Sequence, residues 1–271
     1  MSVKKNNGKI AFFLFLLAAL YIFPFYKIVQ AGGVEQAGRY VFLIMWVPSI
    51  SALVTKLVFD RNLRGLGFRL GKLKYLLLSL ILPVIAGMVV YPIAWTTGIG
   101  TFDAERFHSF MRAWAISIGF GLFSSMLSAA GEELGWRGFL APELAKKFSY
   151  TKSCLIMAVI WNIYHYPVLL FGGYNNGESI VLSLIFFTIT VTAVCFITGW
   201  IRLKTGSFWG AAIFHASHNF FIQSVFDTMT ITKSHTTLFT TEFGMGLCVV
   251  YACFAFFFWR KRHALELPPE A

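Results

Sequence analysis

Residues 117–137 read SIGFGLFSSMLSAAGEELGWR, an uncharged stretch that runs straight into two adjacent carboxylates, Glu132 and Glu133, and then Arg137. The apolar part has no polar face to turn toward water, so it does not fit the surface helix of a soluble domain. Other stretches repeat the pattern. Runs able to cross about 30 Å of hydrocarbon fall at 10–30, 40–59, 75–97, 112–131, 153–171, 179–200, 207–226 and 243–259. The 271 residues are 57% hydrophobic and 13% charged, against roughly 45–50% and 25% in ordinary soluble domains. A soluble globular protein is excluded. The spans consume most of the chain, which predicts an all-α fold: one polytopic membrane domain over residues 1–271 with about eight transmembrane helices.

The formal net charge of +11 would suggest nucleic acid if it formed a soluble basic face. It is instead divided among short connections, as topology and anionic lipid require, so no nucleic-acid partner is expected. Lys4, Lys5 and Lys9 with the segments 61–74, 137–152, 202–204 and 260–262 hold 17 of the basic residues, and the opposite connections hold 5. That asymmetry predicts an integral membrane protein with both termini cytoplasmic and an even number of spans. Lys56, near a helix end, is expected to snorkel. The first run lacks a cleavage site and reads as a retained helix. Cys154, Cys195, Cys248 and Cys253 lie in apolar runs without metal or disulfide spacing and read as buried thiols. The loop Gly172-Gly173-Tyr174-Asn175-Asn176-Gly177 carries no evident function. The tail Leu265–Ala271, with Pro268 and Pro269, reads as a short disordered end that lacks a lipid-acceptor cysteine.

An ionisable side chain at membrane depth costs roughly 2.5–3.5 kcal/mol on insertion scales, so each one is a functional candidate. Here they are few: the Glu pair, Arg137, His165 in the run Trp161–His165, and His215 with His218 in Phe214–Asn219. Glu133 and Arg137 are four apart and can pair on one helix face. Glu132 points about 100° away, free to face a cavity. His215 and Asn219 share a face in the same way, with His218 near that wall. Taken singly, the Glu-Glu-Arg group also fits a salt bridge at the entry to a cytoplasmic loop, and each histidine fits a helix-bridging hydrogen bond. Taken together, three spans supply these groups, and one polar cavity is the economical reading.

The ordered set of Glu132-Glu133-x-x-x-Arg137, Trp161-x-x-x-His165 and His215-x-x-x-Asn219 resembles the CAAX protease and bacteriocin-processing family, also called Abi, of intramembrane glutamic endopeptidases. The motifs lie within residues 110–226. Trp161 stands where the family usually has Phe, a change expected to alter packing more than chemistry. The resemblance implies that Glu132 and His165 activate water, that His215 and Asn219 hold the oxyanion, and that Glu133 and Arg137 support them. No covalent nucleophile is implied; Ser124, Ser125 and Ser128 read as small packing residues.

The expected substrate is a membrane-bound, hydrophobic or lipidated peptide: a prenylated C-terminus, a leader or a signalling propeptide. Cleavage is expected near the cytoplasmic face, and no cofactor is expected. A zinc peptidase using Glu132, His165 and His215 is the alternative within enzymes, although no His-Glu-x-x-His sequence is present. Outside enzymes, a non-catalytic immunity or regulatory protein remains a rival. A proton-coupled transporter would need paired halves that the sequence does not show.

Overall fold

The computed structural model describes residues 3–265 apart from Asn176 and Glu178, with side chains from Asn7 onward. The side chains of Lys4 and Lys5 and the Pro268-Pro269 tail lie outside what is described. The chain runs through α1 (Val3–Gln30), α2 (Gly38–Asp60), α3 (Leu73–Thr96), β1 (Thr101–Phe102), α4 (Ala104–Arg112) and α5 (Trp114–Glu133). A π-helical turn, Leu134–Leu140, joins α5 to α6 (Ala141–Ala145). Next come α7 (Tyr150–Phe171), α8 (Ile180–Thr205) and α9 (Trp209–Ser217), which passes directly into a second π segment, His218–Phe226. The last elements are β2 (Thr230–Ile231), α10 (Thr236–Phe239), α11 (Met245–Arg260) and a 3-10 turn, Lys261–Ala264. β1 and β2 pair antiparallel, Thr101 opposite Ile231.

The fold is a polytopic helical membrane protein. Six helices are long and apolar enough to cross a bilayer: Asn7–Gln30, Gly38–Asp60, Leu73–Thr96, Trp114–Ala145, Tyr150–Phe171 and Ile180–Thr205. The other two expected spans, 207–226 and 243–259, are not among these six. One is divided between α9 and its π segment, and α11 has 16 residues, about 24 Å of helix. Large apolar side chains face outward, including Phe15 and Ile22 at 66% exposure and Ile116 at 76%, as a lipid-facing surface requires. α4 was read as part of a connection. It is a short helix with no buried residue, started by the Asp103 side chain, which accepts from the Arg106 backbone N–H at 2.9 Å.

α5 packs between α2 and α9, α9 also meets α3, and α8 lies against α7 and α11. The closeness of α5 to α2 depends on two glycines. A Cβ on Gly131 would lie 2.8 Å from Trp46 Cδ1 and 2.9 Å from the Met45 carbonyl. One on Gly135 would lie 2.4 Å from Pro48 Cβ and 2.5 Å from its backbone carbon. Small residues let membrane helices approach where larger ones hold them apart, and these two bracket the Glu pair.

Three expectations are corrected at the edges of the bundle. Lys56 does not snorkel: its Nζ is 2.7 Å from Asp60 Oδ2, and the buried Lys9 reaches the same carboxylate at 2.5 Å. A nearby counter-charge satisfies the ammonium without a path to solvent. Cys253 is exposed, whereas the other three thiols are buried, because α11 turns that position to its outer face. Ser124 is also exposed, and its hydroxyl bonds the Gly121 carbonyl of its own helix at 3.0 Å. Replacing Gly135 by valine should cost about 1–3 kcal/mol through overpacking against Pro48. Thermal unfolding in detergent should show a clearly lowered midpoint, and an unchanged midpoint would contradict the close approach.

Candidate active site

Arg137 is fully buried, with Nη1 2.9 Å from Glu133 Oε1. Its guanidinium lies 4.1 Å from the centroid of the Trp161 ring, and Nη2 is 3.6 Å from Cys195 Sγ. Glu133 Oε1 also receives His215 Nδ1 at 3.0 Å. A carboxylate can only accept there, so Nδ1 of His215 carries a proton and Nε2 is the remaining nitrogen. The acid pair divides as the helix geometry requires, with Glu133 held by α9 and the π turn.

Glu132 faces the other way. Its Oε2 accepts from two indole N–H groups, Trp136 Nε1 at 3.1 Å and Trp161 Nε1 at 2.9 Å. Its Oε1 lies 4.0 Å from His165 Nε2, too far for a direct bond and suited to a bridging water. His165 Nδ1 is 2.9 Å from the Trp161 carbonyl, which only accepts, so in the neutral ring Nε2 holds the lone pair. His165 therefore bonds its own helix and does not bridge two. Trp161 in place of Phe was expected to alter packing more than chemistry, yet its indole N–H donates to Glu132, which a phenyl ring cannot do.

Glu132, His165, His215 and Asn219 all line one cavity of about 260 Å³. Its wall also includes Ile28, Val34, Ile44, Tyr174 and Phe187, from the helix ends and loops at 31–37 and 172–175. These loops belong to the end of the bundle poor in Lys and Arg. The Glu pair itself lies well inside the 32-residue segment Trp114–Ala145. The π turn that follows the acid pair meets the basic 61–74 connection through Arg202, which bonds the carbonyls of both Arg137 and Gly65.

Four contributions were not legible in the sequence: three residues and, for His218, the partners it takes at the wall where it was expected. Glu242, from the loop before α11, lines the cavity and accepts from Tyr174 Oη at 2.7 Å and Gln223 Nε2 at 2.8 Å. Tyr174 is supplied by the glycine-rich loop assigned no function. His218 lies at that wall as expected, with Nε2 3.5 Å from Glu242 Oε2 and Nδ1 2.8 Å from Tyr251 Oη. Burial works to raise the Glu242 carboxyl, but the hydrogen bond and charge of His218, the Tyr174 bond and the His165 charge hold it below the usual carboxylate range. The fourth is Arg202, tallied as a loop cation. It is buried, and its Nε donates to the Arg137 carbonyl at 2.6 Å and Nη2 to the Gly65 carbonyl at 2.6 Å. It thereby fixes the π turn that carries Arg137.

Two carboxylates, three imidazoles and two side-chain amides thus line one cavity of a polytopic helical protein, and ionisable groups among membrane helices mark a functional site. The Rce1-like family, described as type II CAAX prenyl endopeptidase Rce1-like, matches residues 106–221. The CAAX prenyl protease 2 of Methanococcus maripaludis is 32% identical over 99 residues, 35% of this chain and 36% of the relative. The chain thus spans about a third of the length of the curated relative it matches. Both similarities are to CAAX prenyl proteases, and the family match covers the segment that carries the three motifs.

Removing Arg137 as glutamine leaves Glu133 buried without its cation, which should cost about 3–5 kcal/mol. The double variant Glu133→Gln, Arg137→Met should recover part of the lost unfolding midpoint. No recovery would show that the charge is not the cause. The Asp227 carboxyl, just past the second π segment, is pushed up to about 7 by burial, opposed by the Tyr91 hydroxyl 2.5 Å away and aided by the Glu242 charge. The folded chain then retains a proton that the unfolded chain releases near pH 3.9, so this contribution is full below that pH and lost as pH rises through 7. Asp227→Asn should flatten the fall in unfolding midpoint between pH 4 and 8; an identical slope in both proteins would contradict the assignment.

Proposed function

We propose that the chain is an intramembrane endopeptidase that hydrolyses a peptide bond in a hydrophobic or membrane-associated peptide with water activated by Glu132 and His165. The observation that carries this is the 4.0 Å separation of Glu132 Oε1 and His165 Nε2, in the cavity that also presents His215 and Asn219. A water between them donates one O–H to each and turns its own lone pair toward the substrate carbonyl. Glu132 takes a proton as the oxygen–carbon bond forms. When the carbon–nitrogen bond breaks, that proton passes to the departing amine, directly or through His165.

The negative charge forming on the carbonyl oxygen needs fixed donors. Asn219 offers its amide N–H. His215 offers Nε2–H when the ring holds both protons, because Nδ1 is committed to Glu133. Glu133 thus serves as counter-charge to Arg137 and to His215, which gives the supporting pair a definite task. The name of the archaeal relative and the family description agree with a peptidase. The excess of Lys and Arg in alternate connections supports a topology with both termini in the cytoplasm.

A zinc enzyme would need Glu132, His165 and His215 on one ion. Nδ1 of His215 is occupied by Glu133, and among the described residues no three His, Cys, Asp or Glu side chains are grouped to hold a metal.

Purified full-length protein in lipid, mixed with membrane peptides, should release fragments identifiable by mass spectrometry. Glu132→Gln should reduce that rate by about 10²–10⁴ while the unfolding midpoint stays near wild type. Equal function in both would favour a binding or immunity role, and activity lost to chelator and restored by zinc would refute the glutamate mechanism. Trp161→Phe keeps a ring over Arg137 but removes one donor to Glu132, so kcat should fall roughly tenfold, as for one charged hydrogen bond. An undiminished kcat would show that this indole does not orient the base.

A further inference from the structure

α8 lines two separate spaces. It turns Thr190, Val191 and Val194 to the central cavity and Thr192, Ala193 and Phe196 to a groove on the outside of the bundle. This groove, of about 450 Å³, lies between α8 and α11 and runs from Ile189 and Ala252 at one end to Phe196 and Trp259 at the other. Each helix contributes about two turns, roughly 10 Å of length. The buried Ala193 and Ala255 make the space, and Phe256, 59% exposed, stands at its edge. The polar atoms of its wall are already bonded: the Thr192 hydroxyl donates to the Thr188 carbonyl at 2.7 Å, and Trp259 Nε1 donates to Thr151 Oγ1 at 3.1 Å. An extended peptide would leave its own backbone unpaired there, whereas a hydrocarbon chain brings nothing to pair.

The Trp259 end of the groove is basic. The Arg262 guanidinium stacks on the Trp259 ring, 3.8 Å from its centroid, and Nη1 donates to the Trp259 carbonyl at 3.0 Å. Lys152, exposed, directly follows Thr151, the residue that holds the Trp259 indole. Arg260, Lys261 and His263 are exposed in the same stretch of chain as Arg262. Neither the first turn of α7 nor the turn Lys261–Ala264 carries an acid. An apolar slot that ends in cations matches an anionic lipid, with its chain in the slot and its phosphate at the mouth. A second copy of the chain matches poorly, because a two-fold axis along the membrane normal would set two basic ends side by side.

We propose that the groove between α8 and α11 holds one acyl chain of an anionic glycerophospholipid from the surrounding bilayer, with the phosphate received by Arg262 and Lys152. The guanidinium can meet two phosphate oxygens at once, and stacking on Trp259 fixes its plane beforehand. The site lies across α8 from the hydrolytic groups, so the inference goes beyond the peptidase reading and does not depend on it. A lipid seated here braces α8, one wall of the central cavity, against α11.

The test is native mass spectrometry of the full-length protein in detergent, offered equal amounts of phosphatidylglycerol and phosphatidylcholine with identical chains. Each Lys or Arg near a membrane surface favours an anionic lipid by roughly fivefold, so phosphatidylglycerol adducts should exceed phosphatidylcholine adducts by at least about tenfold. Lys152→Gln together with Arg262→Gln should bring the ratio close to one, and Arg262→Lys, which keeps the charge, should retain most of it. Ala252→Phe, which fills the groove from its half-exposed wall, should weaken binding of both lipids. Glycerol 3-phosphate, which has the anion without the chains, should not displace bound phosphatidylglycerol. The unfolding midpoint of the wild type should rise more with phosphatidylglycerol than with phosphatidylcholine, as binding to the folded state requires. Equal adducts of the two lipids, a preference that survives loss of both cations, or binding indifferent to Ala252→Phe overturns the proposal. A lipid-free dimer that Ala252→Phe dissociates gives the groove to a second copy and overturns it as well. Peptide hydrolysis enters none of these readouts, so failure here leaves the peptidase reading untouched.

Discussion

A carboxylate with almost no access to water inside an apolar bundle has to be paired, and Glu133 is paired twice. Arg137 approaches it from the π turn and His215 from α9. Isolated, such a charge would cost several kcal/mol. Its two partners come from different helices, so satisfying it fixes the spacing of α5 and α9 and the rotation of each. Arg202 extends the constraint, because its guanidinium holds the Arg137 carbonyl while reaching the loop at Gly65. The neighbouring Glu132 is then left on the one face where it can meet α7.

The aromatic residues complete this arrangement. Trp136 and Trp161 both donate to one oxygen of Glu132, which leaves the other directed toward His165. Trp161 also covers the guanidinium of Arg137, so a single side chain touches both halves of the acid pair. The two π segments start beside these groups, one directly after Glu133 and the other at His218. Wider turns of this kind are uncommon and recur at functional sites. Here they carry Arg137, Asn219 and Gln223.

Much of this was legible in the residue order because membrane burial makes polar side chains conspicuous. The helical fold, the pairing of Glu133 with Arg137 and the meeting of Glu132, His165, His215 and Asn219 at one cavity follow from spacing and from the scarcity of charge at depth. What was not legible had identifiable causes. Glu242 and Tyr174 come from loops, where polar residues are unremarkable and spacing carries no geometric information. The donor role of Trp161 depends on which way an indole turns, which tertiary packing decides. Arg202 looks like any cytoplasmic cation until the carbonyls it holds are known. The π segments leave no mark in an apolar pattern read at a period of 3.6, so the division of 207–226 between α9 and a π segment does not show in the sequence.

The central claim is that Glu132 and His165 hold one water between them in a cavity shared with His215 and Asn219. An experimental density map of the full-length protein in lipid, at a resolution that shows ordered solvent, addresses it directly. The account predicts a water at about 2.8 Å from both Glu132 Oε1 and His165 Nε2, facing the side chains of His215 and Asn219. Glu132 bonded straight to His165, or turned away from the cavity, would contradict it.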